Sequence, residues 1–274
     1  MVQLAKLLNS DHVQEDMELC IELDAPQDLR ASAQRGVNRK ASGRRRKLIA
    51  MIFEEIKRRL STLDTACLCD AGKANANITL RVVDSAIRPI RTGLKLIGRA
   101  HTVSCHEDFL TVIMALRDAQ PNEVLVIDSQ NSRRALTGEL FPTEARRKGL
   151  AGIVIDGPCR DTTTLRALDF PCYARSVSCV AGTTSRIFET QVPITCGGVS
   201  VHPGDIVFGD DDGLVIASAS EISEILSTAE QIQQKETRLL AEMNQGRSLF
   251  QMINFEDHYA KIRAGEESKL EFLV

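Results

Sequence analysis

The chain has 274 residues, 43% of them hydrophobic and 26% charged, with no Trp and a formal net charge of −3. That length suits one large domain or two small ones. Ordinary Gly, Cys and aliphatic content excludes collagen-like, disulfide-scaffold and disordered classes. The near balance of charge excludes a molecule that is basic throughout and binds polyanions, and no apolar run reaches the roughly 20 residues a membrane helix needs.

The opening MVQLAKLLNSDHVQEDMELC has neither the basic start nor the long apolar stretch of a secretory signal. Of eight cysteines only Cys67 and Cys69 lie close together, so they read as small core residues in a reducing compartment rather than as zinc ligands. The expected location is the cytoplasm.

Residues 1–25 are acidic, with Lys6 alone against Asp11, Glu15, Asp16, Glu18, Glu22 and Asp24. Residues 30–59 reverse this, with eleven basic side chains against Glu54 and Glu55. Within that stretch KLIAMIFEEIKRRL (47–60) has apolar residues at helical spacing and predicts an amphipathic helix, while 26–46 reads as a linker or exposed arm. Such a run is either a solvated face or a dock for an acidic partner. With Phe53 its only ring, stacking on nucleic acid is disfavoured.

From residue 61 strands and helices alternate. Strands are expected at 94–105, 123–128 (EVLVID), 152–156 (GIVID) and 170–177, and helices at 108–119, 139–149 and, after the turn GPCRD, just beyond 161. Residues 194–218 read as short strands joined by Pro-Gly-Asp and Asp-Asp-Gly turns, and a long amphipathic helix follows at 221–244. This pattern predicts an α/β fold: a mainly parallel sheet covered by helices, with a second sheet layer.

Sites on such sheets form beyond the carboxyl ends of strands, and two loops qualify. The loop after EVLVID ends in Gly138-Glu139-Leu140-Phe141, with Pro142 opening a helix. Proline is tolerated in a first turn, Gly138 permits close backbone approach, and the free amides there suit a carboxylate. The loop after GIVID carries Arg160-Asp161. That pair reads either as a surface ion pair or as one hard oxygen ligand for a divalent cation beside a cation facing an oxyanion. His101 and His106 find no partner at suitable spacing and read as packing or surface residues. Asp205 and Asp210-Asp211-Asp212 lack the spacing of a calcium loop and read as turns. Asp108 and Asp128 lie near the two loops without an assigned role.

Twenty residues separate Glu139 from Arg160-Asp161. With GRAHTV (98–103), VLVIDSQNSRRALTGEL (124–140), GIVIDGPCRD (152–161) and VHPGDIVFGDDDGLVIAS (201–218), that spacing resembles the RraA-like family. The family includes class II 4-hydroxy-4-methyl-2-oxoglutarate aldolases and the regulator of ribonuclease E activity. The resemblance implies a swivelling β/β/α domain over 61–249, preceded by a helical, basic extension (1–60) and followed by a tail (250–274). It implies that Asp161 ligates Mg2+ or Mn2+ and that Arg160 holds the keto or enolate oxygen of a pyruvate-like group. The amides of Leu140 and Phe141 would bind its carboxylate beside Gly138, and Glu139 would order water around the ion. Phe141-Pro142 departs from the usual aliphatic or small residues. The resemblance further implies pyruvate-releasing cleavage of a 2-oxo acid, oxaloacetate decarboxylation as a side activity, and interfacial sites in a homotrimer or homohexamer. The rivals are a non-catalytic regulator of ribonuclease activity, or another lyase or hydro-lyase reaction on the same scaffold.

Overall fold

The computed structural model describes residues 35–273, and side chains from residue 48 onward. Two compact units divide at Ile49. Helix α1 (Arg35–Leu60) begins well before the expected start at residue 47. Arg, Lys and Ala are good helix formers, and they carry the helix through Gly36 and Gly43 where the charge pattern alone suggested a linker. Residues 1–34, including the acidic stretch and the start of the basic arm, lie outside the described residues.

In the second unit Phe53, Ile56 and Leu60 are buried. The basic triplet between Ile56 and Leu60 is paired within the chain. Lys57 donates to Asn122, Arg58 pairs with Glu55, and Arg59 forms two bonds with Glu230 at 2.7 and 2.9 Å. Lys57 and Arg59 therefore tie this helix to other elements, while Arg58 stays on its exposed face.

Helix α2 (Thr65–Ala74) is capped by the Asp64 side chain, which accepts the Cys67 amide. Two short strands, β1 (Arg81–Val82) and β2 (Arg88–Pro89), lead into the alternating segment. It comprises β3 (Leu96–Ser104), α3 (Leu110–Asp118), β4 (Glu123–Asp128), α4 (Leu140–Arg147), β5 (Gly152–Cys159), α5 (Thr162–Ala167) and β6 (Cys172–Val177). Then come β7 (Glu189–Thr190), β8 (Ile194–Cys196), β9 (Val199–Val201), β10 (Ile206–Gly209), β11 (Leu214–Ala217) and α6 (Ala219–Asn244). A capping box between Ser218 and Glu221 starts α6. The expected tail contains a helix of its own, α7 (Phe255–Arg263).

The main sheet has nine strands in the order β1-β11-β10-β3-β4-β5-β6-β2, with β7 also on β3. Strands β3 to β6 run parallel, and β10, β11 and β2 are antiparallel neighbours. GPCRD does not turn where expected: β5 continues to Cys159 through an irregularity between Ile155 and Pro158. A bulge admits proline into an interior strand, which explains why a turn-like dipeptide sits inside β5.

Alternation along β3 to β5 buries both faces, as parallel strands require. On one face Val103, Leu125, Ile127, Ile153 and Ile155 pack with residues of α3 to α5, and Ile97, Phe208 and Val215 pack with those of α1, α2 and α6. On the other, Ala100, Val124, Val126 and Val154 meet Ile194, Cys196 and Val201 of the β8–β9 ribbon. The result is three layers, ribbon, sheet and helices, and the carboxyl ends of β4 and β5 open on the helical side.

Candidate active-site cleft

The β4–α4 and β5–α5 loops are fastened by backbone bonds. Leu136 donates to Pro158, and Arg160 donates to Thr137 at 3.1 Å. Asp161 sits at φ 56°, a left-handed conformation that Asp tolerates better than most residues. That turn aims its carboxylate back at the opposite loop, where Oδ2 accepts the Glu139 amide at 3.2 Å and lies 3.4 Å from Arg160 Nε. Gly138 is required here, because a Cβ on it would stand 2.2 Å from Asp161 Oδ2 and 3.1 Å from Arg160 Nε. The loops close on each other only because position 138 has no side chain.

Every residue singled out from the sequence, Gly138, Glu139, Leu140, Phe141, Arg160 and Asp161, lines one cleft of about 100 Å³. Helix α4 starts at Leu140 rather than Glu139, which serves as its N-cap without a side-chain cap bond. The amides of Leu140 and Phe141 therefore have no acceptor among the described residues, and Pro142 has no amide to orphan. Two free donors at the positive end of a helix suit an anion.

The sequence reading missed two further residues of the lining, Phe109 and Ala181. Ala181 belongs to an irregular strand laid between two loops: Ala135 donates to Val180, Gly182 to Ala135, Phe109 to Thr183 and Thr183 to Glu107. The clip is Asp108, buried at 1% exposure, whose Oδ2 accepts Thr183 Oγ1 and the Ser185 amide at 2.6 Å and the Arg186 amide at 3.1 Å. Burial alone would raise its pKa, but these bonds and the Leu110 amide outweigh it and hold the carboxyl down at about 2. The local sequence signal was an Asp two residues before a helix start, bonding the Leu110 amide at 2.9 Å.

An ordinary Asp titrates near 3.9, so Asp108 contributes roughly 2–3 kcal/mol above pH 4 that fades as pH falls towards 2. Asp108→Asn is therefore expected to lose about 2 kcal/mol in urea unfolding at pH 7, with the gap to wild type narrowing at pH 3.

The other candidates separate from the cleft. His101 does have partners, contrary to the sequence reading: Nδ1 lies 3.0 Å from Glu123 Oε2 and 3.1 Å from Gln191 Nε2, inside the core. The missed signal was long-range, a register pairing across β3 and β4. His106 Nδ1 is 3.0 Å from the Gln130 carbonyl. Asp205, Asp210 and Asp211 accept bonds from Arg81, Thr65 and Gly93, so they brace turns as expected. Asp128 accepts the Gln130 amide.

As for cations, the one cluster of three metal-capable side chains among the described residues is Asp64, Cys67 and Glu236. It is satisfied internally, since Asp64 caps α2 and the Cys67 thiol donates to Glu236 at 3.2 Å. Burial pushes the Cys67 thiol up, away from the thiolate a metal requires. Asp161 offers a different donor set. It is one half-exposed carboxylate whose recorded contacts all fall on Oδ2, which fits a hard cation that keeps most of its water.

The fold is a β/β/α one whose cleft sets two unpaired amides at the start of one helix near a carboxylate and an arginine. Residues 65–216 match the family model described as RraA-like, Aldolase/RraA, and the chain belongs to that family. It is 34% identical over 174 residues to a protein of Halalkalibacterium halodurans named "Putative 4-hydroxy-4-methyl-2-oxoglutarate aldolase", covering 63% of this chain and 80% of that one. It is 32% identical to an uncharacterized protein of Methanocaldococcus jannaschii, over 76% of this chain and 99% of the relative. Among solved structures, Streptomyces coelicolor RraAS2, described as an unusual member of the RNase ES inhibitor RraA family, is similar with a TM-score of 0.60 and 28% identity, covering 69% and 98% of the two chains. Among the described residues no helix is long and apolar enough to cross a membrane.

Proposed function

We propose that this chain is a divalent-metal-dependent carbon–carbon lyase acting on the pyruvyl end of a 2-oxo acid. The observation that carries the reading is the convergence of Asp161, Arg160 and the free Leu140 and Phe141 amides on one cleft. A hard carboxylate, a cation and an anion hole are the parts that enolate chemistry needs, and the name of the Halalkalibacterium relative supports the same class.

In this reading Asp161 holds Mg2+ or Mn2+, which when bound supplies Lewis-acid charge at the ketone. The Leu140 and Phe141 amides bind and orient the carboxylate. Arg160, which lines the cleft beside Asp161, faces the ketone oxygen and stabilises the charge that develops there. Glu139 orders water at the mouth. Among the described residues no Lys lines the cleft, so the chain offers no amine for a Schiff-base route there. Decarboxylation of oxaloacetate leaves the same enolate and belongs to the same proposal. A homotrimer or homohexamer with interfacial sites also belongs to it, because Leu140 and Val180, 72% and 52% exposed, give the rim an apolar surface for a neighbour to cover.

The similarity to RraAS2 favours a second reading, a binding protein without turnover. Exchange of the pyruvate methyl protons in D2O separates the two, because it needs enolate formation and nothing else. With Mg2+ or Mn2+ the protein is expected to exchange them at least 10²-fold above the ion alone, and EDTA is expected to abolish the effect. No exchange with either ion would leave the binding-protein reading.

A further inference from the structure

We propose that α7 is a self-association surface, on which a second copy of this chain seats the same helix antiparallel across a two-fold axis. The surface shares no residue with the cleft, lies beyond the matched residues 65–216 and does not depend on the lyase reading.

α7 is a helix that its own chain leaves uncovered: it has nine residues, Phe255–Arg263, and buries none of them. So short a helix is marginal by itself in water and gains its stability by packing an apolar face. α7 has such a face, because Phe255, Tyr259 and Ile262 recur at the i, i+4, i+7 spacing of one stripe. Tyr259 and Ile262 are 52% and 53% exposed. The Tyr259 ring stacks on Phe255 with centroids 5.8 Å apart, and Phe250, 66% exposed, meets Phe255 edge to face at 5.5 Å. The three rings form one continuous patch. Bonds between Asn254 and Glu271 and between His258 and Ser268 hold the helix in place without covering its stripe. Grouped aromatic exposure of this kind marks a contact with another protein.

Charge selects the occupant. At 3.6 residues per turn, Glu256 and Arg263 stand within about 20° of each other around the helix, on one flank of the stripe. Both are exposed, and neither forms an ion pair among the described residues. Away from the stripe, by contrast, Asp257 is already paired with Lys261 at 2.8 Å. A two-fold axis that brings two α7 stripes face to face and antiparallel keeps each flank beside the same flank of the copy and reverses the direction of the chain. Glu256 then meets Arg263 of the partner subunit, Arg263 meets Glu256 of the partner subunit, and Tyr259 lies near the axis. The opposed helix dipoles favour the same arrangement. A parallel pair offers no such match, since it turns this flank towards the other one. The rings supply the buried area, and the two ion pairs at the rim fix direction and register.

The test is the mass of the full chain in solution, by light scattering at tens of micromolar, with three variants. We expect an even multiple of the chain mass for the wild type and half of that mass for Tyr259→Asp, which puts a charge at the centre of the stripe. Glu256→Arg and Arg263→Glu each set like charges opposite each other at both rim pairs, so each alone is expected to weaken association by about 10-fold or more. Mixed together, the two charge variants regain opposite charges at both pairs and are expected to associate with one another as the wild type does. That rescue also guards against a misfolded Tyr259→Asp chain. An odd multiple for the wild type, a mass unmoved by Tyr259→Asp, or charge variants that stay apart on mixing would each overturn the proposal.

Discussion

Asp161→Asn is expected to abolish metal-dependent pyruvate chemistry, by roughly 10³-fold in methyl exchange, while leaving the fold unchanged. The substitution swaps a charged oxygen donor for a neutral amide at the one carboxylate proposed to hold the ion. Asn is a cleaner probe than Ala because the residue sits at φ 56°, where Asn is as tolerant as Asp and Ala would add strain of about 1 kcal/mol. Stability is not expected to move by more than about 1 kcal/mol, since the side chain is 36% exposed and its pairing with Arg160 is a surface one. The amide can still accept the Glu139 N–H, so the two loops stay fastened. Thermal unfolding and Mn2+ binding followed by paramagnetic relaxation check both halves. Normal melting with lost Mn2+ enhancement supports the assignment, and full exchange activity would exclude Asp161 as ligand.

The half of the cleft that was legible in the sequence is the half built from contiguous text. EVLVID and GIVID announce two buried parallel strands whose carboxyl edge marks the two loops that follow, and the 20-residue spacing from Glu139 to Arg160-Asp161 carries the resemblance that gave those loop residues roles. Phe109 and Ala181 carried no such mark. They meet at the cleft through an irregular strand held by backbone bonds between residues about 45 and about 75 apart, with no period for a pattern to show. His101 shows the same limit, because its partner Glu123 is set by the register of β3 on β4, where Arg99 stands opposite Glu123. The bulge that carries β5 through Gly157-Pro158 was hidden by local chemistry that elsewhere makes a turn. There Gly157 has a tertiary purpose, since a Cβ on it would stand 2.4 Å from Ser129 Oγ.

Arg160→Ala should lower kcat by about 10²–10³ and change KM far less, the pattern of a group whose contact strengthens as charge develops. The reason lies in the division of labour within the cleft. In the proposed reading the Leu140 and Phe141 amides would hold the carboxylate equally in ground and transition states, whereas the ketone oxygen would gain its negative charge only as the carbon–carbon bond breaks. The guanidinium is anchored for this task, with its backbone amide on Thr137 at 3.1 Å and Nε 3.4 Å from Asp161 Oδ2. Arg160→Lys keeps a charge but not the planar fork, so it should recover part of the loss, and added guanidinium should recover activity in the Ala variant. Loss of KM alone, with kcat intact, would make Arg160 a carboxylate anchor and would move the enolate-stabilising role away from this chain's arginine.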